Sequence, residues 1–62
     1  MNNSIMKYFA YAHLPEHLQE VSKPFGELAE LIYETLAPSD QKAVALQKLL
    51  ESKDAAVRAA LK

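Results

Sequence analysis

The chain has 62 residues, no cysteine and a formal net charge of −1. A chain of this length forms one domain at most, and below about 70–80 residues a single core seldom supplies more than about 3–5 kcal/mol of stability. Disulfides and thiolate metal sites are excluded, so we expect self-association to supply the missing stability. The charge argues against a protein that coats duplex DNA, because that function normally requires a basic surface.

The compartment can also be predicted from the sequence. No apolar run approaches the roughly 20 residues of a transmembrane helix, and the N-terminus lacks the basic and apolar regions of a secretory signal. The absence of cysteine fits a reducing environment. We therefore expect a cytoplasmic protein that binds no membrane.

The chain begins with a polar stretch, residues 1–4, which we predict to be frayed. Residues 5–13 follow without a clean hydrophobic period, and we expect a short N-terminal helix or arm there. Pro15 suits the first turn of a helix, where its missing N–H group would have no partner in any case.

An amphipathic helix is predicted over residues 14–36. Its apolar positions recur at steps of three and four residues, as one face of a helix requires. They are Leu14, Leu18, Val21, Phe25, Leu28, Ile32 and Leu36. Pro24 lies inside this pattern and removes one backbone hydrogen bond. We therefore predict a kink or a restart at Pro24, with Ser22 as the cap of the restarted segment.

A turn at residues 37–40 separates this helix from a second one, predicted over residues 40–61. Pro38 ends the first helix, and Ser39 or Asp40 caps the next. The apolar side of the second helix consists of Leu46, Leu49, Leu50, Val57 and Leu61, extended by Ala43, Ala56 and Ala60. The predicted fold is therefore all-α: a helical hairpin with a kinked first helix, which buries its remaining apolar surface in a homo-oligomer.

A charged pair is predicted near the end of the second helix. Asp54 and Arg58 lie four residues apart with the acid first, an arrangement worth about 0.2–0.5 kcal/mol. On the first helix, Glu27, Glu30 and Glu34 are predicted to form a solvated outer face. The alternative is a metal-binding cluster of carboxylates, but this segment has no Glu-x-x-His motif to complete one.

Residues 13–17 read His-Leu-Pro-Glu-His, which matches a pattern found in one class of zinc peptidases. That chemistry needs both histidines on one face of a regular helix, whereas Pro15 starts the helix after His13. We therefore expect no metal, no cofactor and no enzymatic activity. A metal-dependent hydrolase that uses His13 and His17 is the alternative to exclude.

The candidate ligand-binding residues are Tyr8, Tyr11, Lys23 and Arg58. An exposed tyrosine ring can stack on a nucleobase, which contributes roughly 1–3 kcal/mol per base, or it can pack at an interface. Lys23 could contact a phosphate near a helix start, or it could pair with Glu27. Arg58 could reach an anion at a subunit junction, or it could pair with Asp54.

Three segments of the chain resemble the corresponding segments of a known protein family. They are residues 7–15, Lys-Tyr-Phe-Ala-Tyr-Ala-His-Leu-Pro; residues 19–25, Gln-Glu-Val-Ser-Lys-Pro-Phe; and residues 45–59, an alanine-rich helix. The chain resembles a family of small phage proteins, the second kind of anti-CBASS protein, which are cyclic-nucleotide sponges. The resemblance covers roughly residues 7–58, and the aromatic run is its most specific part.

The resemblance implies a compact helical protein that forms hexamers, arranged as trimers of dimers, in the cytoplasm of the infected host. It implies binding of cyclic dinucleotides such as cyclic GMP-AMP between subunits, and of cyclic trinucleotides in separate pockets, without cleavage. Tyr11, or else Tyr8, would stack on the base, Lys23 would contact the phosphate region, and Arg58 would line the trinucleotide pocket. Gln47 stands where an arginine would be expected. A small helical adaptor for a host protein is the competing hypothesis.

Overall fold

The computed structural model describes residues 4–61. Within this range the chain is all-helical, with a 3₁₀ helix over Ser4–Phe9, α1 over Glu16–Thr35 and α2 over Asp40–Ala60. This confirms the predicted helical hairpin with a short N-terminal helix. The first three residues of the stretch predicted to be frayed lie outside the described range.

α2 begins at a side-chain cap. The backbone N–H of Lys42 donates to Oγ of Ser39 at 3.1 Å, and Ser39 has the extended backbone typical of a capping residue. The predicted cap is thereby confirmed for Ser39. α1 ends before Pro38, as predicted, and its last turn closes with a hydrogen bond from the Leu36 N–H to the Ile32 carbonyl at 3.1 Å.

The hairpin turn is held by a second contact, between Lys42 and Tyr33. The ammonium of Lys42 donates to the Tyr33 carbonyl at 2.7 Å and lies 4.4 Å from the centroid of the Tyr33 ring. The last carbonyl groups of a helix have no partner within that helix. Lys42 of α2 therefore caps the C-terminus of α1 and joins the two helices at the turn.

α1 runs through Pro24 without interruption, so the predicted restart is wrong. Ser22 does not act as a cap, because its side chain is buried and its hydroxyl has no hydrogen-bond partner among the described residues. Pro24 is exposed. The proline removes one backbone bond from the solvent side, and packing on the opposite side of α1 keeps the helix continuous.

The core is small. The buried hydrophobic residues among those described are Phe9, Leu18, Ala29 and Leu46. The side chain of Phe9 packs the 3₁₀ helix against both long helices. It forms one cluster with Ala29 of α1 and Leu46 of α2. The half-buried residues around this cluster are Ile5, Met6, Phe25, Ile32, Leu49 and Leu50.

The buried side of α1 differs from the predicted apolar stripe. Small residues occupy much of it, since Ser22, Gly26 and Ala29 are all buried. Leu28 and Leu36, which belong to the predicted stripe, are exposed. The small residues recur at steps of four and three, so they lie on one face of the helix. That face lets neighbouring segments approach α1 closely. The spacing of large apolar residues in the sequence does not predict such a face.

The Ser39 cap is open to a direct test by the substitution Ser39→Ala. The loss of its hydrogen bond to the Lys42 N–H should lower the free energy of unfolding by about 1 kcal/mol. Urea unfolding at fixed protein concentration measures the change. Ser52→Ala, an exposed position in the middle of α2, is the control and should not destabilise the protein. Equal unfolding midpoints for Ser39→Ala and the wild type would contradict the cap.

Candidate ligand cavity at Tyr11

Tyr11 lies in the loop between the 3₁₀ helix and α1, and its ring packs on Gly26. A Cβ atom placed on Gly26 would lie 3.2 Å from Cδ2 and Cε2 of the tyrosine ring and 3.1 Å from the carbonyl oxygen of Phe9. These distances are tighter than ordinary carbon contacts. The absence of a side chain at Gly26 therefore allows the loop to lie directly on α1.

The loop is also tied to α1 by hydrogen bonds. Nε2 of Gln19 donates to the Leu14 carbonyl at 2.8 Å and to the Ala12 carbonyl at 3.2 Å. Within the loop, the Leu14 N–H donates to the Tyr11 carbonyl at 3.0 Å. Gln19 thus restrains the backbone on the C-terminal side of Tyr11, while the contact with Gly26 restrains its ring.

A cavity of about 200 Å³ opens beside the Tyr11 ring. Its lining consists of Met6, Phe9, Ala10, Tyr11, Gly26, Glu27 and Glu30. Glu27 and Glu30 are exposed, as predicted, yet they also give this cavity two carboxylates. The cavity therefore combines an aromatic ring and an apolar floor with hydrogen-bond acceptors at its edge.

Lys23 lies near this cavity but outside its lining. It precedes Gly26 by three residues, which places the two on neighbouring positions of one helix face. Its side chain is exposed. The suggested ion pair with Glu27 is not formed, since no such pair occurs among the described residues.

The other two predicted ligand residues lie away from Tyr11. Tyr8 is 55% exposed, and the ammonium of Lys7 lies 5.4 Å from the centroid of its ring. Arg58 is exposed in the last turn of α2. Neither residue lines the Tyr11 cavity.

The predicted pair of Asp54 with Arg58 is wrong. Asp54 instead pairs with Lys53 at 3.2 Å, and the Lys53 side chain is only 12% exposed. The aliphatic part of a lysine side chain can pack along apolar surface while its ammonium group stays near solvent. The neighbouring carboxylate of Asp54 forms its ion pair with that ammonium group. Arg58 therefore remains at the surface of the last turn.

A second cavity, of about 290 Å³, lies at the hairpin turn. It is lined by Ile5, Tyr33, Pro38, Ser39, Lys42, Ala43 and Leu46. The sequence reasoning missed the pairing of Tyr33 with Lys42, because the antiparallel register brings them together. The hydrogen bond of Lys42 to the Tyr33 carbonyl gives that pair a structural role.

The two histidines of the zinc-peptidase pattern lie in different elements. His13 lies in the loop and His17 in the first turn of α1, and both are exposed. Between residues 4 and 61, no group of three or more His, Cys, Asp or Glu side chains is placed to hold a metal ion. In the same range, neither long helix has the length and apolar character that a membrane crossing requires.

Two residues that shape the site were missed at the sequence level. The position of Gly26 was informative, since the only glycine of the chain lies inside a predicted helix, where it costs about 1 kcal/mol relative to alanine. Such a residue commonly has a packing reason. The role of Gln19 could not be predicted, because its hydrogen-bond partners are backbone carbonyl groups of the loop, and every residue has a carbonyl group.

No family model matches the chain, and no curated protein or solved structure shows significant similarity to it. The family resemblance described above therefore rests on the residues quoted for it.

The contact of Tyr11 with Gly26 predicts the effect of a larger residue. Gly26→Leu should destabilise the protein by about 1–3 kcal/mol through overpacking, although leucine is the better helix former. The displaced Tyr11 ring should also change the near-ultraviolet circular dichroism. Glu34→Leu, an exposed substitution on the same helix, is the control. If Gly26→Leu were as stable as that control, the close contact would be refuted.

Proposed function

We propose that this protein binds cyclic dinucleotides without cleaving them and thereby lowers the concentration of a signalling nucleotide in the host of a phage. The supporting observation is the Tyr11 ring, which packs on Gly26 beside a cavity; Lys23 precedes Gly26 by one turn of α1. The resemblance to the anti-CBASS sponges points to the same pair of residues.

The base is the part of the ligand that suits this cavity. Stacking on an aromatic ring contributes roughly 1–3 kcal/mol per base. The carboxylates of Glu27 and Glu30 accept hydrogen bonds, and the Watson–Crick edge of a purine offers donors. Because the same carboxylates repel a phosphate, the phosphodiester lies outside the cavity, towards Lys23.

The cavity holds only part of such a ligand. Its volume of about 200 Å³ lies below the roughly 300–1,000 Å³ of most small-molecule sites. A cyclic dinucleotide carries two bases related by approximate two-fold symmetry, and a symmetric pair of chains offers two Tyr11 cavities. Each chain therefore binds one base, and the two Lys23 side chains supply positive charge to the phosphates between them.

The full proposal is a hexameric sponge, assembled as a trimer of dimers. Arg58 lies in the last turn of α2 and lines no part of the Tyr11 cavity. A cyclic-trinucleotide pocket that uses Arg58 is accordingly a separate site. Gln47, which stands where an arginine is expected, donates a hydrogen bond to Glu51 at 3.3 Å and contributes no charge to such a pocket.

Calorimetry with a panel of cyclic di- and trinucleotides tests this function. We expect Tyr11→Ala to weaken dinucleotide binding by at least about 1 kcal/mol, because each base loses its stacking surface, and the ligand to be recovered intact by chromatography. Tyr8→Ala is the matched control, since Tyr8 is exposed and lies outside the cavity. Weakening by Tyr8→Ala alone would move the stacking role to Tyr8. No binding of any nucleotide by the wild type would overturn the proposal.

A helical adaptor for a host protein is the second candidate function. It is favoured by Leu28 and Leu31, which are 45% and 55% exposed on α1, since contiguous exposed apolar residues often mark protein interfaces. The mass of the purified protein separates the two functions. A closed hexamer supports the sponge, and a monomer supports the adaptor.

A further inference from the structure

The Tyr11 cavity has a carboxylate beyond one end of the tyrosine contact and an ammonium group beyond the other. The Tyr11 ring packs on Gly26, and Glu30, which also lines the cavity, follows Gly26 by four residues. These two positions are neighbours on one face of α1. Lys23 precedes Gly26 by three residues. Lys23 and Glu30 are therefore roughly 10 Å apart along the helix axis, and the Tyr11 ring packs at a level between them.

A purine nucleotide has three parts in the same order. The phosphate is joined through the sugar to one end of the base, the flat ring system follows, and the Watson–Crick edge lies at the other end. If the base stacks on Tyr11 and the phosphate lies towards Lys23, as in the function proposed above, the Watson–Crick edge lies towards Glu30. The inference that follows rests on that proposed function.

We propose that the carboxylate of Glu30 selects guanine over adenine at this cavity. The Watson–Crick edge of guanine carries two neighbouring donors, the N1–H group and the N2 amino group, and a carboxylate has two acceptor oxygens. The two groups form a pair of parallel, charge-assisted hydrogen bonds, as an arginine does with a carboxylate. Glu30 is thus the specificity-determining residue of the site.

Adenine does not match this carboxylate. Its Watson–Crick edge has one donor, the N6 amino group, and beside it an acceptor, N1. Among the described residues that line the cavity, only Tyr11 has a side-chain donor, and its ring is the stacking surface. N1 of adenine therefore lies next to a carboxylate oxygen without a proton between them, and an acceptor left without a partner costs binding free energy.

Glu27 lines the same cavity but lies closer to the phosphate end. It follows Lys23 by four residues, so these two side chains are neighbours on α1. It also follows Gly26 directly, which places it about 100° around the helix from Gly26, whereas Glu30 lies only about 40° from it. A carboxylate near the phosphates weakens the binding of every cyclic dinucleotide alike. Glu27 is therefore the matched control for Glu30.

The exposure of Glu30 limits the expected selectivity. Because Glu30 is exposed, its hydrogen bonds to a base replace hydrogen bonds to water. A closed site built to hydrogen-bond its ligand rejects an analogue by a factor of about 10⁴–10⁵. We expect a factor of about ten per base here, which corresponds to about 1.4 kcal/mol. Cyclic di-GMP should bind most tightly, cyclic GMP-AMP less tightly and cyclic di-AMP least tightly.

Calorimetry with cyclic di-GMP and cyclic di-AMP tests the selection in the wild type, Glu30→Gln and Glu27→Gln. The wild type should prefer cyclic di-GMP by about tenfold or more. A glutamine amide has one acceptor and one set of donors, so it can pair with either base, and Glu30→Gln should bring the ratio of the two affinities close to one. Glu27→Gln should change both affinities by the same factor and keep the ratio. Both substitutions are at exposed helix positions, where glutamine forms helix as well as glutamate.

A third ligand tests the two-bond contact at the level of single atoms. Cyclic di-IMP keeps the N1–H group of guanine and lacks the N2 amino group, so its affinity for the wild type should lie between those of the other two ligands. Equal affinities of the wild type for cyclic di-GMP and cyclic di-IMP would refute the pair of hydrogen bonds.

The outcomes separate this inference from the proposed function. If the wild type bound cyclic di-GMP and cyclic di-AMP equally, or if Glu30→Gln kept the wild-type ratio, selection by Glu30 would be wrong and the nucleotide sponge would stand. A loss of preference in Glu27→Gln alone would likewise overturn the assignment to Glu30. A wild type that binds none of the three ligands would overturn both the selection and the sponge.

Discussion

The close approach permitted by small side chains on α1 is the constraint on which the rest of the structure depends. Ser22, Gly26 and Ala29, together with Leu18, form the buried face of this helix. The Phe9 carbonyl and the Tyr11 ring lie against Gly26, while Ala29 shares the core cluster with Leu46. Larger residues at these positions would push the N-terminal segment and α2 outwards. The core and the Tyr11 cavity therefore share one structural cause.

The same constraint leaves much of the apolar surface uncovered. Because small residues face inwards, large ones such as Leu28 and Leu31 remain exposed on another side of α1. A 3₁₀ helix of six residues covers one side of the hairpin. Self-association, as proposed above, would add apolar burial to this small core and would make the stability of the protein depend on its concentration.

The electrostatics around Tyr11 restrict what the cavity can bind. Glu27 and Glu30 favour a ligand that offers hydrogen-bond donors at that point, and Lys23 favours an anion one helical turn away. A nucleotide has both features, with donors on its base and charge on its phosphate. A phosphate placed inside the cavity would lie beside two carboxylates, whereas Lys23 is outside the cavity lining, so the proposed ligand would enter with its base.

The sequence by itself determined the helical content, the limits of both long helices to within two residues and the Ser39 cap, since these follow from periodicity and from local hydrogen-bonding chemistry. The choice of Tyr11 as a ligand-binding residue stays a prediction. Only the tertiary structure decided which face of α1 is buried, that the helix continues through Pro24, and that Glu27 and Glu30 join Tyr11 at one cavity. Those outcomes depend on how closely segments distant along the chain approach one another. The small side chains at Ser22, Gly26 and Ala29 control that approach. Hydrophobic periodicity does not predict it, because periodicity reflects the spacing of apolar residues and not the distance between segments.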